Sequence, residues 1–319
     1  MELVRGIHNL RPQHRGCAAT IGNFDGVHLG HQAVLGQLSE RAADLHLPAT
    51  VITFEPQSRE YFQPESAPPR LTRFREKVEI LRRYGVDRVL CLRFNKHLAS
   101  LAADEFIRII LLEGLDVKYL VVGDDFRFGA ARGGNFSLLV KTGKAHGFPV
   151  VNMHTFNLGA GRVSSTRVRA ALQQGDLATA QALLGRPYRM SGRVAHGDKR
   201  GRVIGFPTAN IHLHRTASPV AGVFAVEMTG ISGEPVAGIA NIGSRPTVDG
   251  TRALLEVHLF DFERDIYGQH VQVSFLHKLR EEQRFDSLDA LKRQIEIDVT
   301  QARDFIRKTY SARTSGNGA

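Results

Sequence analysis

His28 and His31 stand three residues apart in "TIGNFDGVHLGHQ" (20–32), after an apolar run and before a helix-like one. At i and i+3 the two imidazoles share one face of a first helical turn. A helix N-terminus offers free N–H groups and a partial positive charge, both suited to phosphate. Two imidazoles there can donate hydrogen bonds to a phosphate oxygen, and they serve best where negative charge grows on an α-phosphate. No side-chain nucleophile is needed if two substrates are simply held in line. Gly22 and Gly26 would let the backbone turn tightly and approach a ligand. A metal is the weaker reading, because no third ligand accompanies His-x-x-His at helical spacing.

Four further stretches carry residues that could do chemistry, each with a plainer alternative. In "VSSTRVR" (163–169), hydroxyls at a helix start can cap backbone N–H groups and arginines can clamp a pyrophosphate; the alternative is an ordinary capped helix with surface arginines. In "GDDFRFG" (123–129), aromatic residues could pack against a flat ring while Asp125 accepts from a ring N–H or base amine; the alternative is a plain turn. "GDKRGRVIGFPTANI" (197–211) interleaves Gly197, Gly201 and Gly205 with Lys199, Arg200 and Arg202, a phosphate cradle or a basic β-turn. It continues into Thr208 and Asn210, hard oxygen donors suited to Mg²⁺ held between protein and nucleotide phosphates. In "RALLEVHLFDF" (252–262), strand alternation puts Glu256 and His258 on one face, where a glutamate could be a general base for a hydroxyl or merely exposed.

The elements that must hold these residues change character along the chain. Up to about residue 185, apolar runs at 17–24, 49–54, 87–94, 117–123 and 148–154 alternate with amphipathic stretches at 31–45, 73–85 and 101–114. That pattern predicts a parallel sheet covered on both faces, with ligands at the carboxyl ends of its strands. Beyond "LLGRPYRM" (183–190), short alternating runs separated by Gly, Pro and Asp predict an antiparallel barrel or sandwich. A helix over 287–310, capped by Asp286 or Ser287, closes it with Leu288, Leu291, Ile295, Val299 and Ala302 at helical spacing. The expected division is 1–184, 185–310 and a disordered tail, 311–319.

The 319 residues suffice for two domains, and 42% hydrophobic with 23% charged is an ordinary globular composition. No run approaches the roughly 20 apolar residues of a membrane span, and the first residues lack the apolar core of a secretory signal. Cys17 and Cys91 read as small buried hydrophobes in a reducing cytoplasm. A net charge of +10 suits nucleic acid or small polyanions equally, but its lysines and arginines are scattered.

Resemblance narrows these readings. "GNFDGVHLGH" (22–31) resembles the HxGH nucleotidyltransferase signature in the form found in the adenylyltransferase half of prokaryotic FAD synthetases. "PRLTRFREKVEIL" (69–81), "GDDFRFGAARGGN" (123–135) and "VSSTRVRAAL" (163–172) are similar to further segments of that family. "GRVIGFPTANI" (201–211), "GVFAVEM" (222–228), "GIANIGSRPTV" (238–248), "LLEVHLFDF" (254–262), "IYG" (266–268) and "LREEQRF" (279–285) follow the riboflavin kinase domain in order. The chain departs from the pattern at "TFEPQSREYF" (53–62), where Gln57 and Ser58 replace the usual His-Pro, and at Phe224, where Tyr is common.

The domain order thus resembles the prokaryotic bifunctional riboflavin kinase/FMN adenylyltransferase family. That implies an α/β Rossmann-like N-terminal domain and a C-terminal antiparallel β-barrel with a closing helix. It implies phosphorylation of riboflavin to FMN and adenylylation of FMN to FAD, with ATP and Mg²⁺. By the same resemblance, adenylyl transfer would use Gly22, Asn23, Phe24, Asp25, Gly26, His28, His31, Ser164, Ser165, Thr166, Arg167 and Arg169 at ATP, and Asp125, Phe126 and Phe128 at the flavin. The kinase would use Gly197, Lys199, Gly201, Arg202, Gly205, Pro207, Thr208 and Asn210 at ATP, Thr208 and Asn210 at the metal, and Glu256 on the ribityl 5′-hydroxyl. The expected partners are these small molecules, without nucleic acid or membrane, and a homo-oligomer is left open. Two other readings stay open: a basic nucleic-acid-binding protein with relic nucleotide sites, and an adenylyltransferase for a different acceptor.

Overall fold

Alternate residues of the strand Cys17–Ile21 are buried on opposite sides of a sheet. Cys17, Ala19 and Ile21 belong to a core with Leu90, Phe106, Ile110 and Leu139, and Ala18 to a second with Leu35, Leu38, Val51 and Leu81. A strand apolar on both faces needs helices above and below, which is why the run reads as continuously hydrophobic. The computed structural model describes all residues except 154–155, 160, 197–204, 248–249 and 317–319. It divides into two compact units, Met1–Pro68 with Thr72–Ser165 and Pro69–Leu71 with Thr166–Ala319. That division lies earlier than residues 184 and 185, where the sequence pattern changes.

Among the described residues the first unit holds a six-stranded sheet of β1 (Glu2–Arg5), β2 (Cys17–Ile21), β3 (Ala49–Glu55), β4 (Arg88–Arg93), β5 (Val117–Gly123) and β6 (Val150–Met153). The order is β1-β4-β3-β2-β5-β6 with every pair parallel. β1 is an edge strand that the sequence reading missed: it has four residues and only Val4 is buried, too little for a periodic signal. Glu2 holds it in place, bonding Arg88 and His14 at 2.9 Å each. The helices are α1 (Leu29–Asp44), α2 (Ser58–Phe62), α3 (Phe74–Arg83), α4 (Lys96–Ser100), α5 (Ala103–Phe106) and α6 (Phe136–His146). The expected helix over 101–114 is irregular, with α5 running into a π-helical stretch at Ile107–Gly114. β7 (Asn157–Leu158) pairs with β8 (Gly161–Arg162). The chain leaves β2 toward β3 and β4 on one side and reaches β5 and β6 on the other. The carboxyl ends of β2 and β5 therefore flank a topological switch point, the usual ligand crevice of such sheets.

The second unit begins within α7 (Ser165–Gln173) and continues through α8 (Leu177–Leu184). It contains β9 (Arg189–Ala195), β10 (Ala209–His212), β11 (Gly222–Thr229), β12 (Val236–Thr247), β13 (Gly250–Leu259) and β14 (His270–Arg280). These close as an antiparallel barrel in the order β10-β13-β12-β11-β14-β9, so of the two expected architectures the barrel is found. Helix α9 (Leu288–Gly316) covers it, burying Ala302 and Ile306 against Ala225, Ile239 and Phe260. Ser287 Oγ accepts from the N–H of Ala290 at 3.1 Å and caps the helix. Two expectations are corrected here. Leu288 is 66% exposed and is not part of the buried stripe, because it lies in the first turn beyond the barrel contact. The expected tail 311–319 continues the helix to Gly316, and 317–319 lie outside the described residues.

Candidate active site

The turn after β2 is shaped by its backbone. Gly26 adopts φ +82°, and Phe24 and Val27 also take left-handed values, +48° and +42°. Both apolar side chains are buried, which anchors the turn in the core beneath α1. His28 follows as the N-cap of α1, and its Nδ1 accepts the N–H of His31 at 3.3 Å. A ring nitrogen that accepts carries no hydrogen, so in the neutral ring the hydrogen sits on Nε2. The capping bond thus turns His28 into a donor at its far nitrogen. The His31 ring stacks on it, with centroids 3.7 Å apart and planes inclined by 16°. A side chain at Gly30 would press on the His28 ring at 3.3 Å, so that position keeps the imidazole in place.

The two histidines line a cavity of about 330 Å³ with Gly22, Asn23, Phe24, Asp25, Gly30, Asp125, Phe126, Arg162, Ser164 and Ser165. Ser165 Oγ donates to the Asp25 carbonyl at 2.9 Å. Thr166, Arg167 and Arg169 fall in the second unit, where Arg169 Nε donates to the Pro69 carbonyl at 2.7 Å. That part of its guanidinium serves the fold.

A second cavity of about 510 Å³ lies in the same unit, and six phenylalanine rings form part of its lining. Phe126 and Phe128 stack at 5.5 Å, and Phe106 tilts against Phe128 at 5.3 Å. Phe62 and Phe54 meet the Phe94 ring edge-on at 5.6 and 5.8 Å. Arg59, Arg127 and Arg132 add positive charge to the lining. Gly22, Asn23, Asp125 and Phe126 line both cavities, so these form a common wall. On that wall the buried Asn23 Oδ1 has no hydrogen-bond partner among the described residues. A buried amide oxygen left so is costly, and a ligand hydrogen bond would relieve it. Asp125 is exposed and bonds Arg162 at 2.8 Å.

In the barrel, strand register rather than sequence distance assembles the polar residues. Glu256 on β13 lies directly opposite Asn210 on β10 and Asn241 on β12. Their neighbours Leu255, Val257, Ala240, Ile242 and Ile211 are buried inward, so the three polar residues share the outer face. His258, next but one on β13, donates from Nδ1 to the Pro207 carbonyl at 2.9 Å and holds the turn that carries Thr208. Pro207 and Thr208 line a small cavity of about 100 Å³ with Val257, Phe262, Arg264, Asp265 and Tyr267. The structure therefore brings Glu256 to Asn210 but does not place Glu256 in that cavity. Gly205 is exposed. The expected phosphate contacts Gly197, Lys199, Gly201 and Arg202 lie outside the described residues. Among the described residues no three His, Cys, Asp or Glu side chains gather as a metal cage.

Several residues of these sites were not found from the sequence. Phe54 and Phe94 sit at or just beyond the carboxyl ends of β3 and β4, where a strand-end rule would have pointed to them. The atypical "QSREYF" stretch forms α2, whose Ser58, Arg59 and Phe62 wall the aromatic cavity. Asn241 gave no signal, since only the barrel register sets it beside Glu256.

Comparison with known proteins agrees with this geometry. The chain matches the family model for FAD synthetase over residues 10–167 and that for riboflavin kinase over residues 184–306. A protein of Escherichia coli (strain K12) described as a bifunctional riboflavin kinase/FMN adenylyltransferase is 54% identical, covering 98% of this chain and 100% of its own. One from Pseudomonas fluorescens with the same description is 55% identical over 95% of this chain and 97% of its own. Among solved structures, a Streptococcus pneumoniae protein described as a macrolide-efflux protein superposes with a TM-score of 0.77 at 33% identity, covering 93% of this chain and 97% of that one. No helix among the described residues here is long and apolar enough to cross a membrane.

Proposed function

This chain belongs to the family of bifunctional riboflavin kinase/FMN adenylyltransferases, and on that premise we propose how its residues divide the two reactions. The enzyme phosphorylates riboflavin with ATP to give FMN, then joins FMN to the adenylyl group of a second ATP, giving FAD and pyrophosphate. The observation that carries the adenylyl assignment is the common wall of Gly22, Asn23, Asp125 and Phe126 between an aromatic cavity and the histidine cavity. The isoalloxazine ring fits among Phe126, Phe128, Phe62 and Phe94, with ATP beside His28 and His31. The FMN phosphate then meets the ATP α-phosphate at the wall.

There the flavin phosphate oxygen attacks in line and pyrophosphate leaves, so the chain's task is to position both and to answer the growing charge. Nε2–H of His28 donates to the α-phosphate oxygens, and the N–H groups of Leu29 and Gly30 in the first turn of α1 add to the same field. His31, stacked on His28, contributes the second imidazole. Asn23, on the common wall, orients the phosphates.

In the kinase half, Glu256 takes the proton of the ribityl 5′-hydroxyl as that oxygen attacks the γ-phosphorus. Thr208 and Asn210 are neutral oxygen donors, and Asn210 lies in register with a single carboxylate. That donor set suits a largely hydrated Mg²⁺ shared with phosphates better than an all-protein cage. A Mg²⁺ held by Thr208 and Asn210 would supply charge neutralisation to the phosphates. We take the cytoplasm as the place of action, since Cys17 and Cys91 are buried free thiols.

The experiment is flavin product analysis. With riboflavin, ATP and Mg²⁺, the double variant His28→Ala/His31→Ala accumulates FMN and makes no FAD. Glu256→Ala makes nothing from riboflavin but converts supplied FMN to FAD. Riboflavin phosphorylation at the normal rate by Glu256→Ala would remove the base assignment.

A further inference from the structure

Residues 24–27 pose a mechanical problem. Three of the four are left-handed, and one of these is β-branched Val27, a conformation that persists only where the surroundings over-determine it. The next residue is His28, so any relaxation of this turn moves both imidazoles. One side chain from a distant part of the sequence meets the turn at two points. Thr72 is 5% exposed and precedes α3. Its backbone N–H donates to Asp25 Oδ1 at 3.0 Å, its hydroxyl donates to the same oxygen at 3.3 Å, and that hydroxyl accepts the N–H of Gly26 at 3.0 Å. Asp25 itself is 3% exposed. Its carboxylate is thus engaged by the fold, and its carbonyl is held by Ser165 Oγ at 2.9 Å.

We infer that Thr72 is a positioning residue for adenylyl transfer, acting through Asp25 and Gly26 on the turn that presents His28 and His31. The inference rests on the FMN adenylyltransferase reading above. A hydroxyl suits the position because one atom must donate to a carboxylate and accept from a backbone N–H at once, which neither a methyl nor an ammonium group can do. The ring it closes, Asp25 carboxylate to Thr72 hydroxyl to Gly26 N–H, spans the left-handed segment from within. Asp25, through Oδ1 and its carbonyl, therefore serves the scaffold of the site as well as lining its cavity.

The test compares Thr72→Val, which keeps the shape and removes the hydroxyl, with Thr72→Ser, which keeps the hydroxyl. Both are made in the full chain and assayed separately for FMN to FAD and for riboflavin to FMN. In Thr72→Val, kcat for FAD formation falls at least about 30-fold while KM for ATP and FMN stays within about threefold, the pattern of lost transition-state alignment. Thr72→Ser stays within about threefold of the parent on every constant, and riboflavin phosphorylation is unchanged in both. If Thr72→Val also lost riboflavin phosphorylation, Thr72→Ala decides by the same criterion. A kcat retained in the variant lacking the hydroxyl would overturn the inference, as would a Thr72→Ser loss equal to that of Thr72→Val. A parent protein that makes no FAD from FMN would instead overturn the reading beneath it.

Discussion

In the reading proposed above, His28 does two jobs with two nitrogens. Nδ1 caps α1 by accepting from His31, and that bond leaves the hydrogen on Nε2. The jobs can be separated, because asparagine is among the best N-caps but cannot reach where Nε2 reaches. His28→Asn keeps stability within about 0.5 kcal/mol of the parent, whereas His28→Ala loses about 1 kcal/mol. Both lower FAD formation about 100-fold, the usual cost of removing one preorganised donor from a developing charge. Chemical denaturation and the rate of FAD formation check the two halves, and an active His28→Asn would show that Nε2 is not the donor. Cys17 illustrates the opposite case of a reactive atom kept idle: burial pushes its thiol up to about 11, so it remains protonated and inert at neutral pH.

Among the elements, α9 shows how one well-made pair outweighs several exposed ones. Asp298 is 1% exposed and takes a bidentate guanidinium from Arg280 on β14, at 2.8 to 3.1 Å, with Gln294 as a further donor. Removing the carboxylate leaves a largely buried guanidinium without its counter-ion, so Asp298→Ala destabilises the barrel unit by about 3 kcal/mol. The pair Arg303 with Asp261 is also bidentate but lies in water, with its carboxylate 77% exposed. Asp261→Ala leaves the unfolding midpoint nearly where it was. Urea unfolding of the two variants, followed by far-UV circular dichroism, separates the cases. The same logic of burial explains why β1 and α2 escaped the sequence reading. Each is short and has few buried positions, and both are stabilised by what they touch rather than by their own pattern.

For the whole molecule, the proposed division assigns the two reactions to disjoint sets of residues. His28 and His31 belong to the first compact unit, and Glu256, Asn210 and Thr208 to the second. Two chains, each disabled in one reaction, should therefore complement each other through FMN. A mixture of Glu256→Ala with His28→Ala/His31→Ala converts riboflavin to FAD, although neither variant does so alone. Chromatography of the flavins reads the result, and a mixture that stops at FMN would show that FMN made by one chain does not reach the adenylyl site of another. The net charge of +10 is consistent with a molecule that handles polyphosphates in both halves.

The sequence by itself determined the parallel sheet beneath the histidine turn, the change to an antiparallel barrel and the family, and it singled out the turn as the candidate site. Each of these is written in local spacing: i and i+3 on a helix, continuous apolar runs between helices, period two along strands. Only the tertiary structure decided which distant residues meet. Phe62, Phe94 and Phe126 lie in three separate stretches and share one cavity because β2, β3, β4 and β5 end at the same edge of the sheet. Asn241 faces Glu256 because barrel closure fixes the register of β12 on β13. Thr72 reaches Asp25 across 47 residues because a strained turn needs support from outside itself. Contacts of that kind depend on how elements pack in three dimensions, and no periodicity along the chain encodes them.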